Sequence, residues 1–281
     1  MVITCIHKKV IILIVAFVSL FINCTKHAPV ESVNPAILLL LNQFSANNTL
    51  SCPLVPRREE FADTVVQAIS GSDAFGNPSL STNGVCGGGL YSGSLDVFSL
   101  TQTGAGSALV LSWAGKTIIN GAGIDFVVFE NPWVIGSNSN SVFLEAIIVE
   151  VSRDNVNYCG FNPSYSQGNT FSRDPSHWQN FAGKTPVLYN DATNRLSSES
   201  LFNQSLAGGD GFDLDNLSDN NSFNIGCTTN IRDDIKNNGF KFIRLVAASA
   251  RVNPLTGNSY PTDSAASNGP DIDGVAARYR Q

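Results

Sequence analysis

A chain of 281 residues with 43% hydrophobic side chains can bury a sizeable core, as one large β domain or two small ones. Only 14% of its residues are charged, against roughly 25% in a typical soluble domain, and the net charge is −6. No basic patch or aromatic-interleaved basic run is available to neutralise phosphates, so the composition argues against nucleic acid as a partner.

The first residues speak to the compartment. A short basic stretch, His7-Lys8-Lys9, precedes an apolar run from Val10 to Ile22. That run is shorter than the roughly 20 residues a membrane-spanning helix needs and fits the hydrophobic region of a signal peptide. It ends at Leu20-Phe21-Ile22-Asn23-Cys24, which resembles a bacterial lipobox with Phe21 where a Leu is usual. The expectation is a signal peptide over 1–23, lipidation of Cys24 and a tether over 24–58, rich in Pro, Asn and Ser. Acyl chains on Cys24 would hold the protein on a membrane of the cell envelope. No acidic residue follows Cys24 to retain it at the inner membrane, so the outer membrane is the expected site. Loss of Lys8 and Lys9 with the leader would leave the mature chain more acidic.

Beyond Cys5 and Cys24 the chain holds Cys52, Cys86, Cys159 and Cys227. None forms a CxxC pair, which argues against a structural zinc site. Four cysteines in an oxidising compartment allow two disulfides in any of three pairings; four buried free thiols are the alternative.

The body is expected over 59–281. Strand-like segments follow one another with turn residues between them: Phe61 to Ile69, Ser94 to Leu100 with Leu95, Val97 and Ser99 on one face, Ser107 to Trp113, Ile124 to Phe129, Val142 to Ser152, Phe240 to Val246 and Ile272 to Tyr279. No long amphipathic helix separates them, which argues against βαβ units and for an all-β fold, an antiparallel β-sandwich of jelly-roll type. From Tyr158 to Asn238 the pattern weakens into Asn-, Ser-, Asp- and Gly-rich sequence, expected as long loops at one end of the sandwich.

The motifs Gly87-Gly88-Gly89 through Ser92-Gly93-Ser94 to Leu100, Gly121 to Pro132 with Asp125-Phe126 and Phe129-Glu130-Asn131-Pro132, Val149 to Asp154, Ala207-Gly208-Gly209-Asp210-Gly211-Phe212-Asp213-Leu214, and Asp271 to Ala276 occur in that order. This ordered set resembles a family of bacterial secreted and lipid-anchored cell-surface proteins, galactose-binding-like or discoidin-like jelly rolls with no established activity. The resemblance spans Phe61 to Tyr279. It implies a fold and a location and supplies no catalytic residues.

The triple glycine lacks the spacing of a dinucleotide-binding loop and reads as a tight turn or bulge. The Gly-Gly-Asp stretch resembles one calcium β-roll repeat, but its apolar residue is out of register and no tandem copy exists; an EF-hand fails at Ser218 and Asn224. Asp210, Asp213, Asp215, Asp271 and Asp273 with loop carbonyls can supply the six to eight oxygens of a structural calcium site; solvated Asx turns account for the same residues. Glu130 and Asn131, at a strand end before Pro132, and the loop aromatics Trp133 and Trp178 are the candidate ligand contacts. Tyr165, Tyr189 and Tyr260 are further loop aromatics, suited to sugar faces and protein interfaces or to capping the core. Glu145 and Glu150 fall on opposite faces of their expected strand. Of three histidines only His177 lies in the body. This excludes a multi-histidine metal site there and leaves His177 alone for any Ser-His-Asp triad.

The leading expectation is an envelope-anchored, non-catalytic binding module for a glycan or a protein, reached by loops 130–140, 160–180 and 205–220. A carboxylate-based polysaccharide hydrolase using Glu130 or Glu145 with an Asp is the enzyme alternative, and a structural envelope protein the third.

Overall fold

Alternation of apolar side chains along short segments separates two faces per strand, and two such sheets can bury one face each against the other. The computed structural model shows that arrangement. It describes residues 58–69, 75–219, 226–263 and 269–281. The leader, Cys24, the tether to 57 and Cys52 lie outside the described residues.

Among the described residues, fourteen strands occur in chain order: β1 (Thr64–Ala68), β2 (Phe98–Ser99), β3 (Ala108–Ser112), β4 (Phe126–Phe129), β5 (Trp133–Val134), β6 (Val142–Phe143), β7 (Ile147–Ser152), β8 (Tyr158–Gly160), β9 (Ser164–Tyr165), β10 (Trp178–Gln179), β11 (Asp210–Phe212), β12 (Phe242–Ala247), β13 (Asp271–Ile272) and β14 (Gly274–Ala277). A five-stranded sheet runs β1-β3-β12-β7-β8 and a three-stranded sheet β11-β4-β14. Every described pairing in them is antiparallel. The fold is an all-β antiparallel sandwich.

The main core lies between the two sheets. Leu109 and Leu111, Ile147, Val149 and Val151, and Ile243 and Leu245 from the larger sheet meet Phe126, Val128, Phe212, Val275 and Ala277 from the smaller one. Phe126 is at its centre, with ring centroids 5.4 Å from Phe212 and Phe240 and 5.8 Å from Phe161. The opposite residues of the same strands form two outer clusters. Val127, Phe129 and Ala276 pack with Phe61, Val187, Tyr189 and Phe202. Ile148 and Val246 pack with Val134, Val142, Tyr165, Trp178, Phe181 and Tyr260.

Several expected elements differ. Val142 to Ser152 is not one strand. It divides into β6 and β7 around Leu144-Glu145-Ala146, so strand parity does not relate Glu145 to Glu150. Ser94 to Leu100 pairs only at Phe98–Ser99, and Leu95 (59% exposed) and Val97 (0%) do not share a face. The weak-pattern region contains a helix. A single turn, α1 (Gln204–Ala207), is followed by α2 (Thr229–Asn238). The Thr228 hydroxyl caps the Ile231 N–H of α2, and Gly239 ends the helix at φ 76°. Polar on most of its surface, α2 sends only Ile235 and Ile231 toward the core, so its period was too sparse to read.

Cys159 and Cys227 form a disulfide, Cα–Cα 5.1 Å, joining β8 to the residues before α2. Cys86 is also disulfide-bonded. These two cross-links match the reading of paired thiols rather than free ones for Cys86, Cys159 and Cys227.

Glu150 faces outward from the centre of the larger sheet. Its carboxylate accepts from Arg244 Nε at 2.6 Å and Arg251 at 3.1 Å, and the Arg244 guanidinium lies 3.8 Å over the Tyr158 ring. Removing the carboxylate would leave a largely buried guanidinium uncompensated. Glu150→Ala is therefore expected to cost about 1–3 kcal/mol, read as a lower urea midpoint; an unchanged midpoint would contradict this role.

Candidate functional site

The end of β4 builds the site. Phe126–Phe129 is an apolar central strand, and its continuation, Glu130 and Asn131, stays buried at 3% and 9% exposure. Pro132 then turns the chain into β5, which pairs with β6 as Trp133↔Phe143 and Val134↔Val142. In a two-stranded ribbon, directly opposed residues share one face. Val134 and Val142 point into the outer apolar cluster, which leaves Trp133 and Phe143 together on the other face. Their rings stack with centroids 4.2 Å apart and planes 11° from parallel.

The glycine-rich loop is held against this ribbon. Gly87 N donates to Tyr189 O and Gly89 N to Val187 O, each at 3.0 Å, and Val134 N donates to Leu90 O at 2.8 Å. Asn131 acts as a backbone mimic. Its side-chain oxygen accepts the Ser94 N–H, and its Nδ2 donates to Ser94 O at 3.0 Å. A Cβ at Gly93 would fall 2.6 Å from Asn131 Oδ1, so only glycine permits that clamp. On the far side, β13 pairs with β2, and the Ser99 hydroxyl donates to Asp271. Asp271 N donates to Glu130 Oε1 at 2.9 Å.

The result is a cavity of about 440 Å³, within the usual range of small-molecule sites. Phe75, Tyr91, Leu95, Trp133 and Phe143 supply apolar walls, and Asn131, Glu145 and Asp271 the polar groups. Glu130 lies beside Glu145 and Asp271. Burial raises the Glu130 carboxyl well above the ordinary carboxylate range, and the charges of Glu145 and Asp271 push the same way. Burial likewise raises Glu145 to about 8, helped by Asp271 and Asp263. Glu130 Oε2 and Glu145 Oε1 are buried without a hydrogen-bond partner. Gly183, at φ +82°, packs on the Glu145 carbonyl, and a Cβ there would sit 3.5 Å from Glu130 Oε2. Perturbed carboxyls in a cleft are a common mark of a functional site.

Of the ligand contacts expected from sequence, Asn131 and Trp133 line this cavity and Glu130 adjoins it. Trp178 does not. It is 0% exposed, packed 3.9 Å from Tyr165 and 5.3 Å from Phe181 by ring centroids, with Nε1 donating to Ser172 O at 2.9 Å. Tyr165, Tyr189 and Tyr260 are buried as well. Their loops fold over the sheet faces as outer core clusters, so these aromatics cap the core and do not offer exposed rings. Among the described residues, the lining comes from 75, 91–95, 131 and 133, 143 and 145, and 269 and 271 rather than from loops 160–180 and 205–220. Sequence reading missed Tyr91 and Phe143. The Phe143 signal was its position opposite Trp133 across a short hairpin.

The five aspartates considered for calcium do not gather. Among the described residues, no group of three or more His, Cys, Asp or Glu is arranged to hold a metal ion. Asp210 accepts from Lys184 N, Thr185 N and the Thr185 hydroxyl at 2.7–3.3 Å. Asp213 caps the turn at Leu214–Asn216 through Asp215 N. Asp215 accepts from Asn120. Asp273 accepts from Cys86 N, and Asp271 belongs to the cavity. Backbone and neighbouring donors thus occupy the Gly-Gly-Asp motif as local scaffolding. His177 Nδ1 lies 2.7 Å from Ser172 Oγ, whose oxygen also accepts Asp174 N–H; this contact is outside the cavity lining.

In comparisons with known proteins, the chain matches no family model and no curated relative. Among the described residues no helix is long and apolar enough to cross a membrane.

Proposed function

We propose that the chain is an envelope-anchored binding module whose cavity holds a glycan. The observation that carries this reading is the stacked Trp133–Phe143 pair beside Asn131, Glu145 and Asp271. Flat rings suit the C–H faces of pyranose rings, and amide and carboxylate oxygens suit their hydroxyls. The anchoring half of the proposal is supported by the leader sequence and Cys24.

A ready test exists because the protein has three tryptophans, of which Trp113 and Trp178 are buried and Trp133 is partly exposed. Titration with a panel of soluble oligosaccharides is expected to shift intrinsic fluorescence. Trp133→Ala is expected to lose about tenfold or more in affinity, since one stacking aromatic contributes roughly 1–3 kcal/mol at a binding hot spot. Its unfolding midpoint should move little. Binding that survives Trp133→Ala, or a panel without any binder, would sink the proposal.

One observation favours a second reading. A carboxyl held near 8 beside a second acid in an aromatic-walled cleft is the pairing used for glycoside hydrolysis, with the raised group as general acid. Turnover of labelled polysaccharide that Glu145→Gln abolishes would establish a hydrolase; binding without turnover leaves the module non-catalytic.

A further inference from the structure

We infer that the glycan carries a protonated amino group, so that the cavity selects cationic amino sugars over neutral or N-acetylated ones. This rests on the cavity being a glycan site and names the chemistry of its ligand.

Two carboxyl groups line the cavity, Glu145 and Asp271, with Glu130 behind them, and among the described lining residues there is no Lys, Arg or His. Asp263, whose charge also acts on Glu145, already holds a cation. Arg173 binds Asp263 through Nε at 2.8 Å and a terminal nitrogen at 2.6 Å. Glu130 Oε2 and Glu145 Oε1 are buried and have no protein donor. Glu130 is 3% exposed, so its orphan oxygen is not explained as a solvated surface group.

A neutral ligand against this acidic wall would return no charge to it. Each buried acceptor left without a partner is a penalty. An ammonium group brings three donors and one positive charge in a compact head. Beside Glu145 and Asp271 it would favour the ionised Glu145 and displace the proton that burial holds there. The stacked rings of Trp133 and Phe143 reinforce the choice, because an aromatic face attracts a cation as well as a sugar C–H surface. N-acetylation removes the charge, leaves one N–H and adds an acetyl group. A lysine side chain carries the same head on a thin stem and would leave the flat Trp133–Phe143 platform largely unused, so the sugar is the better occupant.

Isothermal titration of the full-length protein in mild detergent, near pH 7 and at low salt, tests this with three probes: the trimer of glucosamine, its fully N-acetylated form, and cellotriose. The glucosamine trimer is expected to bind about tenfold tighter than either neutral sugar, with the preference shrinking as salt screens the charges. Glu145→Gln should cut that preference about fivefold, read as the ratio of the glucosamine-trimer affinity to the cellotriose affinity on the same variant. A cooperative thermal transition in the variant shows that it is folded. Equal binding of all three sugars would overturn the inference and leave the glycan reading standing. So would tighter binding of the neutral pair, or a preference untouched by Glu145→Gln in folded protein. Binding of none of the three sugars would overturn both.

Discussion

Glu145→Gln is expected to stabilise the protein at alkaline pH and to remove much of its pH dependence. The sign follows from proton binding. Glu145 has an unfolded value near 4.5 and is raised to about 8 in the fold, chiefly by burial, so between those values the folded chain binds the proton more tightly than the unfolded one. Stability is then full below about 4.5 and declines as pH rises through about 8. Glu130 and Asp273, both raised well above the ordinary range by burial, act in the same direction. Moving one carboxyl this far corresponds to roughly 2–5 kcal/mol once it is ionised. Gln keeps the shape and removes the titration. In urea unfolding at acid, neutral and alkaline pH, the variant should match wild type in acid and gain about 2–5 kcal/mol in alkali. A variant as pH-sensitive as wild type, or weaker in alkali, would show that Glu145 is not the strained carboxyl. A group kept at such a cost to stability fits a role in ligand binding better than one in folding.

Trp178→Ala is expected to produce the other large effect, in the opposite sense. The indole is fully buried against Tyr165, Phe171 and Phe181 and uses its one donor on Ser172 O. Truncating it creates a cavity and orphans a carbonyl, at about 3–5 kcal/mol. Trp133→Ala, on the rim of the binding cavity, should cost far less stability. The pair of variants separates a core tryptophan from a ligand tryptophan: Trp178→Ala shifts the urea midpoint, and its folded fraction binds sugar like wild type. Near-native stability of Trp178→Ala would contradict the packing.

These two tryptophans also show how far the sequence could be read. Both stand in short polar surroundings, and one became a wall of the cavity while the other sealed an outer core cluster. Local sequence does not distinguish them, because burial depends on Ile148, Val246 and Tyr260, which come from distant segments. The sandwich itself was legible, since β4, β7 and β12 carry long apolar or alternating runs. The division of Val142 to Ser152 was not. Nothing in Leu144-Glu145-Ala146 announces a break, yet that break turns Glu145 toward the cavity. Glu130 and Asn131 could be singled out at a strand end before a proline. Their partners, Ser94 and Asp271, lie 37 and 140 residues from Asn131, and only the fold supplies that proximity. The surroundings of the Asp-rich motifs were hidden for a related reason. Side-chain oxygens that could ligate a cation are instead occupied by nearby N–H groups, a competition that one sequence does not display.

The account stands or falls on whether the Trp133–Phe143 cavity is where ligand sits. Hydroxyl-radical footprinting of the full-length protein, with and without the tightest-binding oligosaccharide of the panel, measures this directly. The prediction is protection of Tyr91, Trp133 and Phe143, with Tyr279 unchanged as a distant reporter. Undiminished reactivity of those three aromatics with sugar bound elsewhere, or no binding by any sugar, would contradict it.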